Sequence, residues 1–402
     1  MSQTTHADRL KQIIAHHHTV TDRPNPIASE WTSGVFDRLT HPVVEPEHVP
    51  LTWRYDLDPT TNPMLLERLA INATFNTGAI KLNGQNCLVL RVEGVDRKSF
   101  FAVARSDDGL TGWTFDDQPV VMPEIDGNPD TNVYDMRVVT HEDGHIYGLF
   151  CTERKDTTQP NDLSAATAQC GLCRTKDLIT WERLPDLKTP SAQQRNVVLH
   201  PELVNGKYLL YTRPQDSFIE AGSGGGIGYA FADAMDPCVV TEEKILDPRE
   251  YHTYKESKNG LGPAPIKTDR GWLHLAHGVR GSATGLRYVI YLFMTALDDP
   301  TRVIHRPSGF FIAPWADEQK GDLWSVAFGN GWVAQDDGTV NIYYATNDTQ
   351  TYCAVSSIDR LVDYCTNTPE DPLRSAACVD QRVDLIQKNQ AFLKNAGAHP
   401  LG

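Results

Sequence analysis

The feature that most constrains the fold of this chain is a strand running into an Asp-bearing turn, which occurs five times. The copies read FFAVARSDDG, CGLCRTKDL, IGYAFADAM, YLFMTALDD and YCAVSSIDR. Their aspartates, which follow one another at similar intervals, are Asp107, Asp177, Asp233, Asp298 and Asp359. Each interval has room for four short strands and their loops, which is one blade of a β-propeller. Five copies therefore predict five blades, with the aspartates as turn formers.

The rest of the chain divides around this repeat. Short runs of β-branched and aromatic residues alternate with turn residues over 71–370, without long helical periodicity. We therefore predict an all-β fold, a five-bladed β-propeller, for 71–370. A pair of β-sandwiches is the alternative, but it leaves the recurrent turn unexplained. We expect 1–70 to be a helical and Pro-rich extension, with a short helix within NPMLLERLAI (62–71), and 371–402 to be a C-terminal helical tail.

Charge and cysteine usage limit the partners and the location. The 402-residue chain has a net charge of -15, which argues against nucleic acid or an anionic membrane surface as partner. It has no run of 18 apolar residues, and its first residues lack the apolar core of a signal peptide. The eight cysteines follow no disulfide-framework spacing, so we expect a reduced, cytoplasmic protein. The single CxxC, Cys170–Cys173, lies on a predicted strand with its thiols on opposite faces, which argues against a metal site.

The N-terminal helix carries a short apolar stripe made of Leu10, Ile13 and Ile14. This stripe lies outside the predicted propeller and has to be buried against something. We therefore expect a homo-oligomer.

The predicted strand NVYDMRVVT (132–140) contains two charged residues within an apolar run. Strict alternation along a strand places Asp135 and Arg137 on one face, opposite Met136 and Val138. A structural ion pair between the two charged side chains is one explanation. The other is a functional carboxylate that faces the central pocket of the propeller.

Further polar residues occupy strands that would surround the propeller axis. Among them, guanidinium groups, an ammonium group, an imidazole and a phenol outnumber the carboxylates, a combination that suits phosphate or a carboxylate ligand. These residues are Asn76, Thr77, Arg91, Arg195, Arg213, Lys258, His277, Tyr288 and Asp348.

From about Asn72 to Pro369 the chain resembles the inverting β-mannoside phosphorylases of glycoside hydrolase family 130. The resemblance rests on FNTGA, RVEGVDRKSFF, YDMRV, RNVVLHPE with GKYLLYTRP, KNGLGPAPIKTDRGWLHLAHGV and YYATND, in that order. The longer motifs, notably RVEGVDRKSFF and KNGLGPAPIKTDRGWLHLAHGVR, resemble the branch of the family that acts on 4-O-β-D-mannosyl-D-glucose. The family has a five-bladed propeller, in agreement with the number of repeats.

The resemblance also implies roles for the polar residues. Asp135 matches the catalytic acid, whose proton reaches the leaving oxygen through the mannose 3-hydroxyl. Thr77 departs from the Ser or Pro that the family often has, but it keeps a hydroxyl. The phosphate-binding group is matched by Arg195, Arg213, Lys258, His277 and Tyr288, and the mannosyl-binding group by Asn76, Thr77, Arg91 and Asp348.

The implied reaction is the reversible phosphorolysis of 4-O-β-D-mannosyl-D-glucose, with inversion, to α-D-mannose 1-phosphate and D-glucose. Inorganic phosphate is the co-substrate, and no metal or other cofactor is expected. Because phosphate is itself an anionic nucleophile, such an enzyme needs cations in place of the second carboxylate of an inverting hydrolase. A phosphorylase of β-1,4-mannooligosaccharides, a β-mannoside hydrolase and a sugar-binding propeller without activity are the alternatives.

Overall fold

Five antiparallel sheets surround one axis, so the five-bladed β-propeller predicted from the repeat is confirmed. The structure, a computed structural model, describes residues 5–28, 33–125, 127, 129–217, 222, 224–283, 285–319, 321 and 324–395. In chain order the strands are β1 (Asp37–Arg38), β2 (Ile71–Leu82), β3 (Gln85–Gly94), β4 (Ser99–Ser106), β5 (Thr114–Phe115), β6 (Asn132–Thr140), β7 (Ile146–Lys155), β8 (Ala166–Thr175), β9 (Glu182–Leu184), β10 (Val198–Val204), β11 (Lys207–Thr212), β12 (Ile227–Ala232), β13 (Lys244–Asp247), β14 (Lys258–Leu261), β15 (Ile266–Lys267), β16 (Trp272–Ser282), β17 (Gly285–Thr295), β18 (Val303–His305), β19 (Ala327–Ala334), β20 (Thr339–Thr346) and β21 (Gln350–Ser357).

The strands divide into blades in sequence order. Blades 1 to 3 are β2–β5, β6–β9 and β10–β13. Blade 4 has the order β14-β16-β17-β18, with β15 paired to β16, and blade 5 has the order β19-β20-β21-β1. The helices are α1 (His6–Thr21), α2 (Leu51–Arg54), α3 (Ile358–Asn367) and α4 (Ser375–Asn395), with 3-10 helices η1 (Pro46–His48) and η2 (Ala316–Gln319).

The repeated aspartates follow the third strand of every blade, which explains why the repeat counts blades. Asp177 forms the turn as expected, because its Oδ1 accepts from the backbone N–H groups of Ile179 and Thr180, both at 2.8 Å. In blade 1 the next residue does this, since Asp108 Oδ1 accepts from two following amides at 2.7 and 2.8 Å. Asp359 lies instead in the first turn of α3, because β21 leads into a helix and not into a fourth strand.

The missing fourth strand of blade 5 comes from the other end of the chain. Asp37 and Arg38 of β1 pair with Val355 and Ala354 of β21. This segment belongs to the stretch expected to be an N-terminal extension, so the propeller uses residues from before position 71. The pairing of β1 with β21 closes the propeller, because it joins a strand from before blade 1 to blade 5.

The apolar core consists of five main clusters, each between two neighbouring blades. Between blades 1 and 5, for example, Leu88 packs with Tyr343, and between blades 3 and 4 Leu209 packs with Phe293. Cys170 and Cys173 belong to two different clusters on opposite sides of blade 2, as strand alternation predicts.

The segments flanking the propeller differ from expectation in a second place. No helix forms at 62–71, where the predicted helix is wrong: Asn62 Oδ1 accepts from the Leu66 N–H at 3.0 Å in an irregular turn, and Leu65 has a φ of 49°. The predicted N-terminal helix is present as α1, and the predicted C-terminal helix as α4, while 396–402 lie outside the described residues. Within the part of the chain that the structure describes, no helix is long and apolar enough to cross a membrane.

Candidate active site

A polar cavity near the axis receives side chains from all five blades. Eight of the ten site residues predicted from the sequence line it, so the propeller brings together positions as distant in the sequence as Asn76 and Asp348. The lining residues are Asn76, Arg91, Tyr134, Asp135, Arg195, Asn196, Arg213, Lys258, Tyr288, Val326, Phe328 and Asp348.

Two of these side chains project from β-bulges in the innermost strands. The register of β2 shifts between Phe75 and Gly78, and that of β6 shifts between Tyr134 and Arg137. Asn76 and Asp135 sit in these bulges with φ angles of 46° and 58°. Such left-handed conformations are uncommon for residues other than glycine, although Asn and Asp tolerate them best. A bulge redirects the side chain that it carries.

The bulge in β6 overturns the strict alternation expected for this strand. Val133 packs against the same apolar cluster as Met136 and Val138, although alternation would place it on the other face. The structural ion pair, which was one of the two explanations for this strand, does not form: Arg137 Nη1 donates to the backbone carbonyl of Asp135 at 2.8 Å and not to its carboxylate. The Asp135 carboxylate has other partners.

The carboxylate of Asp135 is buried, with 8% of the residue exposed, and is held by two donors. Asn76 Nδ2 donates to its Oδ1 at 2.9 Å, and Arg91 Nη1 donates to the same oxygen at 3.1 Å. A carboxyl held in this way has a fixed orientation toward the cavity.

Arg91 is fixed on several sides. Its Nη2 donates to Glu93 Oε2 at 2.7 Å, and its guanidinium lies between the rings of Phe75 and Tyr134, at 4.3 and 4.6 Å from their centroids. Burial lowers the pKa of Arg91, but the charges of Asp135 and Glu93 outweigh it and raise the pKa overall. Arg91 is therefore a permanent cation beside the buried acid.

Tyr134 contacts both Arg91 and Arg195, whose guanidinium groups lie 4.6 and 5.8 Å from the centroid of its ring. Its hydroxyl donates to Glu153 and accepts from Arg195 Nη2 at 2.6 Å. Burial, more than any neighbouring group, raises the pKa of Tyr134, so the phenol stays neutral. Arg195 also lies 3.5 Å from Glu153 Oε1. Tyr134 is not among the residues predicted from the sequence, although its position beside Asp135 in YDMRV was a usable signal.

Arg213 is the most deeply buried cation of the cavity wall, at 5% exposure. Its Nε and Nη2 donate to Gln215 Oε1 at 3.2 and 2.8 Å, which fixes the plane of the guanidinium. Burial, together with the positive charge of Arg195, lowers the pKa of Arg213 to about 10. At neutral pH it is still a cation, and an anion placed beside it would be strongly favoured.

Lys258 and Tyr288 complete this side of the cavity from blade 4. The Lys258 ammonium lies 5.8 Å from the centroid of the Tyr288 ring. With Arg195 and Arg213 they form what we call the cationic wall. Asp135, Asn76, Arg91 and Asp348 form what we call the acid-bearing wall.

His277 and Thr77 lie behind the cavity surface, unlike the other predicted residues. The His277 ring is 1% exposed, and its Nε2 contacts Asn196 Nδ2 at 3.3 Å and Arg213 Nη1 at 3.4 Å. Burial, with Arg213 next, holds the pKa of His277 well below its usual value, so the imidazole is neutral. Thr77 turns its hydroxyl to Thr351 Oγ1 at 3.1 Å, between blades 1 and 5.

Asn196 is a second lining residue that was not predicted from the sequence. It lines the cavity directly after Arg195, and its amide contacts the His277 ring. The motif RNVVLHPE contains it, but an Asn in an irregular segment before a strand carries no distinctive signal. Among the described residues, no group of three or more His, Cys, Asp and Glu side chains is arranged to hold a metal ion.

The comparison with protein families gives one match that covers most of the chain. The model Glyco_hydro_130, described as beta-1,4-mannooligosaccharide phosphorylase, matches residues 40–367. The matched range begins just after β1 and ends with α3, so it includes every strand of the five blades except β1.

Individual relatives agree with this match. A protein of Bacteroides fragilis named 4-O-beta-D-mannosyl-D-glucose phosphorylase is 56% identical over 388 residues, which are 96% of this chain and 99% of the relative. A beta-1,4-mannooligosaccharide phosphorylase of Ruminococcus albus is 27% identical over 78% of this chain and 90% of its own. The solved structure of the beta-1,2-mannobiose phosphorylase from Listeria innocua shares the fold, with a TM-score of 0.63, 21% identity, and coverage of 85% of this chain and 99% of that chain.

Proposed function

This chain belongs to glycoside hydrolase family 130, and we propose that it catalyses the reversible phosphorolysis of 4-O-β-D-mannosyl-D-glucose, with inversion, to α-D-mannose 1-phosphate and D-glucose. The observation that carries this proposal is the asymmetry of the cavity. A buried carboxylate, Asp135, lines the same cavity as the cations Arg195, Arg213 and Lys258. The high identity to the relative from Bacteroides fragilis supports the choice of disaccharide.

In this reaction an oxygen of hydrogen phosphate attacks C1 of the mannosyl residue from the face opposite the leaving glucose. The bond between C1 and the glucose O4 breaks, and the proton of Asp135 is delivered to O4 through the mannose 3-hydroxyl. The acid regains a proton from the phosphate group of the product. No metal or other cofactor takes part.

The cationic wall holds the nucleophile in this account. Arg195, Arg213 and Lys258 bind the phosphate oxygens, with Tyr288 as a further donor, because guanidinium and ammonium groups match phosphate in charge and geometry. His277 acts from behind this wall: its neutral ring contacts Arg213 and Asn196 and keeps them in place.

The acid-bearing wall holds the mannosyl ring. Asn76, Arg91 and Asp348 offer donors and acceptors for its hydroxyl groups, and Arg91 and Asn76 also orient Asp135. Thr77 supports this wall through its bond to Thr351.

A β-mannoside hydrolase is the second candidate, since Asp348 provides a second carboxylate in the cavity. An inverting hydrolase would use such a group to activate water. The cationic wall argues against this reading, because concentrated positive charge stabilises an anionic nucleophile and lowers the pKa, and so the basicity, of a carboxylate that would have to activate water.

Synthesis from α-D-mannose 1-phosphate tests the reaction and the acceptor together. Glucose, mannose, β-1,4-mannobiose and N-acetylglucosamine compete at equal concentration, and the products are separated by chromatography. Preferred transfer to glucose supports the proposal. Preferred transfer to mannose or mannobiose would indicate a β-1,4-mannooligosaccharide phosphorylase, and the absence of any transfer would refute phosphorylase activity.

A homo-oligomer is part of the same proposal. The apolar stripe on α1 is partly covered by the chain itself, since Ile13 and His17 flank a groove shared with Glu47 and Arg54. The C-terminal helix α4 is the better candidate for an association surface. It has no buried residue, and its Val379, Ile386 and Phe392 are 59, 53 and 69% exposed. Light scattering of the full chain and of a chain ending at 373 tests whether α4 carries the association.

A cytoplasmic location is proposed because all eight cysteines are free thiols.

A further inference from the structure

Arg137 is a buried guanidinium next to the cavity but not in its lining, and the family resemblance gives it no role. Only 2% of the residue is exposed. Its Nη1 donates to the carbonyl of Asp135 at 2.8 Å, and its Nε donates to the carbonyl of Gly262 in blade 4 at 3.2 Å. The guanidinium lies 5.8 Å from the ring centroid of Phe328 in blade 5. One side chain thus connects three blades.

The partners of Arg137 are backbone carbonyls and an aromatic ring. Among the described residues no carboxylate lies within ion-pair distance of it; burial lowers the pKa of this guanidinium, and the charge of Asp135 offsets only part of that effect. A buried cation without a carboxylate partner is costly, and an apolar side chain of similar size would be cheaper for packing alone. This cost indicates that the guanidinium serves the site next to it.

The contact with Asp135 meets a specific need of the bulge. At a bulge the strand ladder is locally disrupted, and a carbonyl that loses its ladder partner needs another donor. Arg137 Nη1 supplies that donor for the left-handed residue Asp135. The bulge at Asn76 is braced in the same manner, because Asn330 Nδ2 donates to the Asn76 carbonyl at 3.2 Å.

The charge of Arg137 also lies near the cationic wall, because the Phe328 ring beside it lines the cavity and its centroid is 4.4 Å from that of the His277 ring. It is among the charges that lower the pKa values of Arg213 and His277, after the larger effect of burial in both cases. Arg137 and the three cations of the wall repel one another in a low-dielectric site, and a bound dianion relieves that repulsion. Arg137 therefore adds to the attraction for phosphate without touching the cavity surface.

We infer that Arg137 is a positioning residue: its guanidinium fixes the left-handed backbone of Asp135 so that the acid reaches the substrate, and its charge strengthens phosphate binding. This inference rests on the proposed function, because it assigns Arg137 to the placement of that acid. Two substitutions of Arg137 distinguish the placement of Asp135 from the contribution of the charge to phosphate binding.

Arg137→Lys keeps the charge but loses the planar fork, and Arg137→Gln loses the charge. For Arg137→Lys we expect kcat to fall about 10- to 100-fold, as for a slightly misplaced acid, with both KM values within about threefold of wild type. For Arg137→Gln we expect a similar loss of kcat and, in addition, a KM for phosphate raised about tenfold.

Arg183→Lys is the matched control, because Arg183 is an equally buried guanidinium whose partners include the carboxylate of Asp186 at 2.6 Å and the ring of Phe150. It should lower the melting temperature and leave kcat unchanged. Steady-state kinetics and thermal unfolding are measured for all three variants.

The inference is overturned if a folded Arg137→Lys protein keeps kcat within threefold of wild type. Failure of both Arg137 variants to fold would also overturn it, since Arg137 would then serve the stability of the propeller. A wild-type protein that releases no mannose 1-phosphate refutes the proposed function instead, so the two failures are distinguishable.

Discussion

The side-chain amide of Asn76 donates to the carboxylate of Asp135 at 2.9 Å, and both residues have left-handed backbones in bulges of adjacent blades. The bulge at Asp135 directs its carboxyl group into the cavity, and the bulge at Asn76 directs its amide toward that carboxyl group. Backbone strain of this kind costs about 1–3 kcal/mol per residue and persists where the surrounding structure enforces it.

Substitution of Asn76 separates the donor from the backbone strain. Asn76→Gly and Asn76→Ala both remove the donor, so both should lower kcat by a similar factor of about ten or more. Alanine is strained at a φ of 46°, whereas glycine is not, so Asn76→Ala should also be less stable by about 1 kcal/mol. Urea unfolding and steady-state kinetics measure the two effects. Equal stability of the two variants, or unchanged kcat, would contradict this account.

The propeller could be predicted from the sequence because its evidence is local. Asp107 and its four counterparts mark the end of the third strand in each blade, a pattern contained within one short segment. The closing strand could not be predicted, because Asp37–Arg38 is too short to show any periodicity and its partner Val355 lies near the other end of the chain. The prediction of a helix at 62–71 was wrong because the Asn62 side chain stabilises a turn in place of the first helical turn.

The site residues were recognisable by type, but their orientation was not. Asp135 stood out as a carboxylate in an apolar run, yet the bulge that aims it at the cavity leaves no mark on the alternation pattern. The same limitation affected Thr77, whose hydroxyl turns to Thr351 between two blades. Asn196 was missed because an isolated Asn before a strand resembles an ordinary loop residue.

Arg213 should control the affinity for phosphate. Its guanidinium plane is set by Gln215, so Arg213→Lys keeps a positive charge but loses the paired donors. We expect the KM for phosphate to rise at least about tenfold while the KM for the disaccharide changes little. Arg174→Lys is the control, since Arg174 pairs with Glu182 at the surface. Equal effects on both substrates would contradict the assignment of Arg213 to the phosphate site.

Stability should fall as the pH decreases below about 6.5. Burial lowers the pKa of His48 to about 4 and of His200 to about 3, and holds those of His274 and His277 well below the usual value. Above this pH these groups are neutral in both states, but below it the unfolded chain takes up protons that the native protein does not. Each contributes up to about 1.4 kcal/mol per pH unit.

Urea unfolding at pH 7.5, 6.0 and 5.0 measures this dependence. Burial raises the pKa of Asp143, but its hydrogen bonds outweigh burial and lower the pKa to about 2. Asp143 therefore contributes only at more acidic pH, and the range between pH 5 and 6.5 reports on the histidines. His274→Gln should reduce the slope by one proton. A free energy of unfolding that stays constant from pH 7.5 to 5.0 would contradict the prediction.

The strand that closes the propeller should depend on one buried ion pair. Arg38 on β1 pairs with Glu318 on η2, and the two side chains are only 8% and 7% exposed. Arg38→Leu leaves the Glu318 charge buried and unpaired, so we expect a loss of about 3–5 kcal/mol. The double variant Arg38→Leu/Glu318→Leu should recover much of this loss.

Arg360→Leu is the control for the same strand, because it removes the more exposed pair with Asp37 and should cost no more than about 1 kcal/mol. Urea unfolding compares the three proteins. A cost for Arg38→Leu no larger than that of the control would show that the buried pair does not hold the closing strand.

The most direct test of the central claim follows 4-O-β-D-mannosyl-D-glucose by NMR, with and without inorganic phosphate, for the wild type and Asp135→Asn. The wild type should release glucose only with phosphate and form α-D-mannose 1-phosphate. Asp135→Asn should lose at least about a hundredfold in kcat, while phosphate binding by calorimetry stays within about threefold of wild type. Release of free mannose without phosphate, or wild-type turnover by Asp135→Asn, would contradict the account.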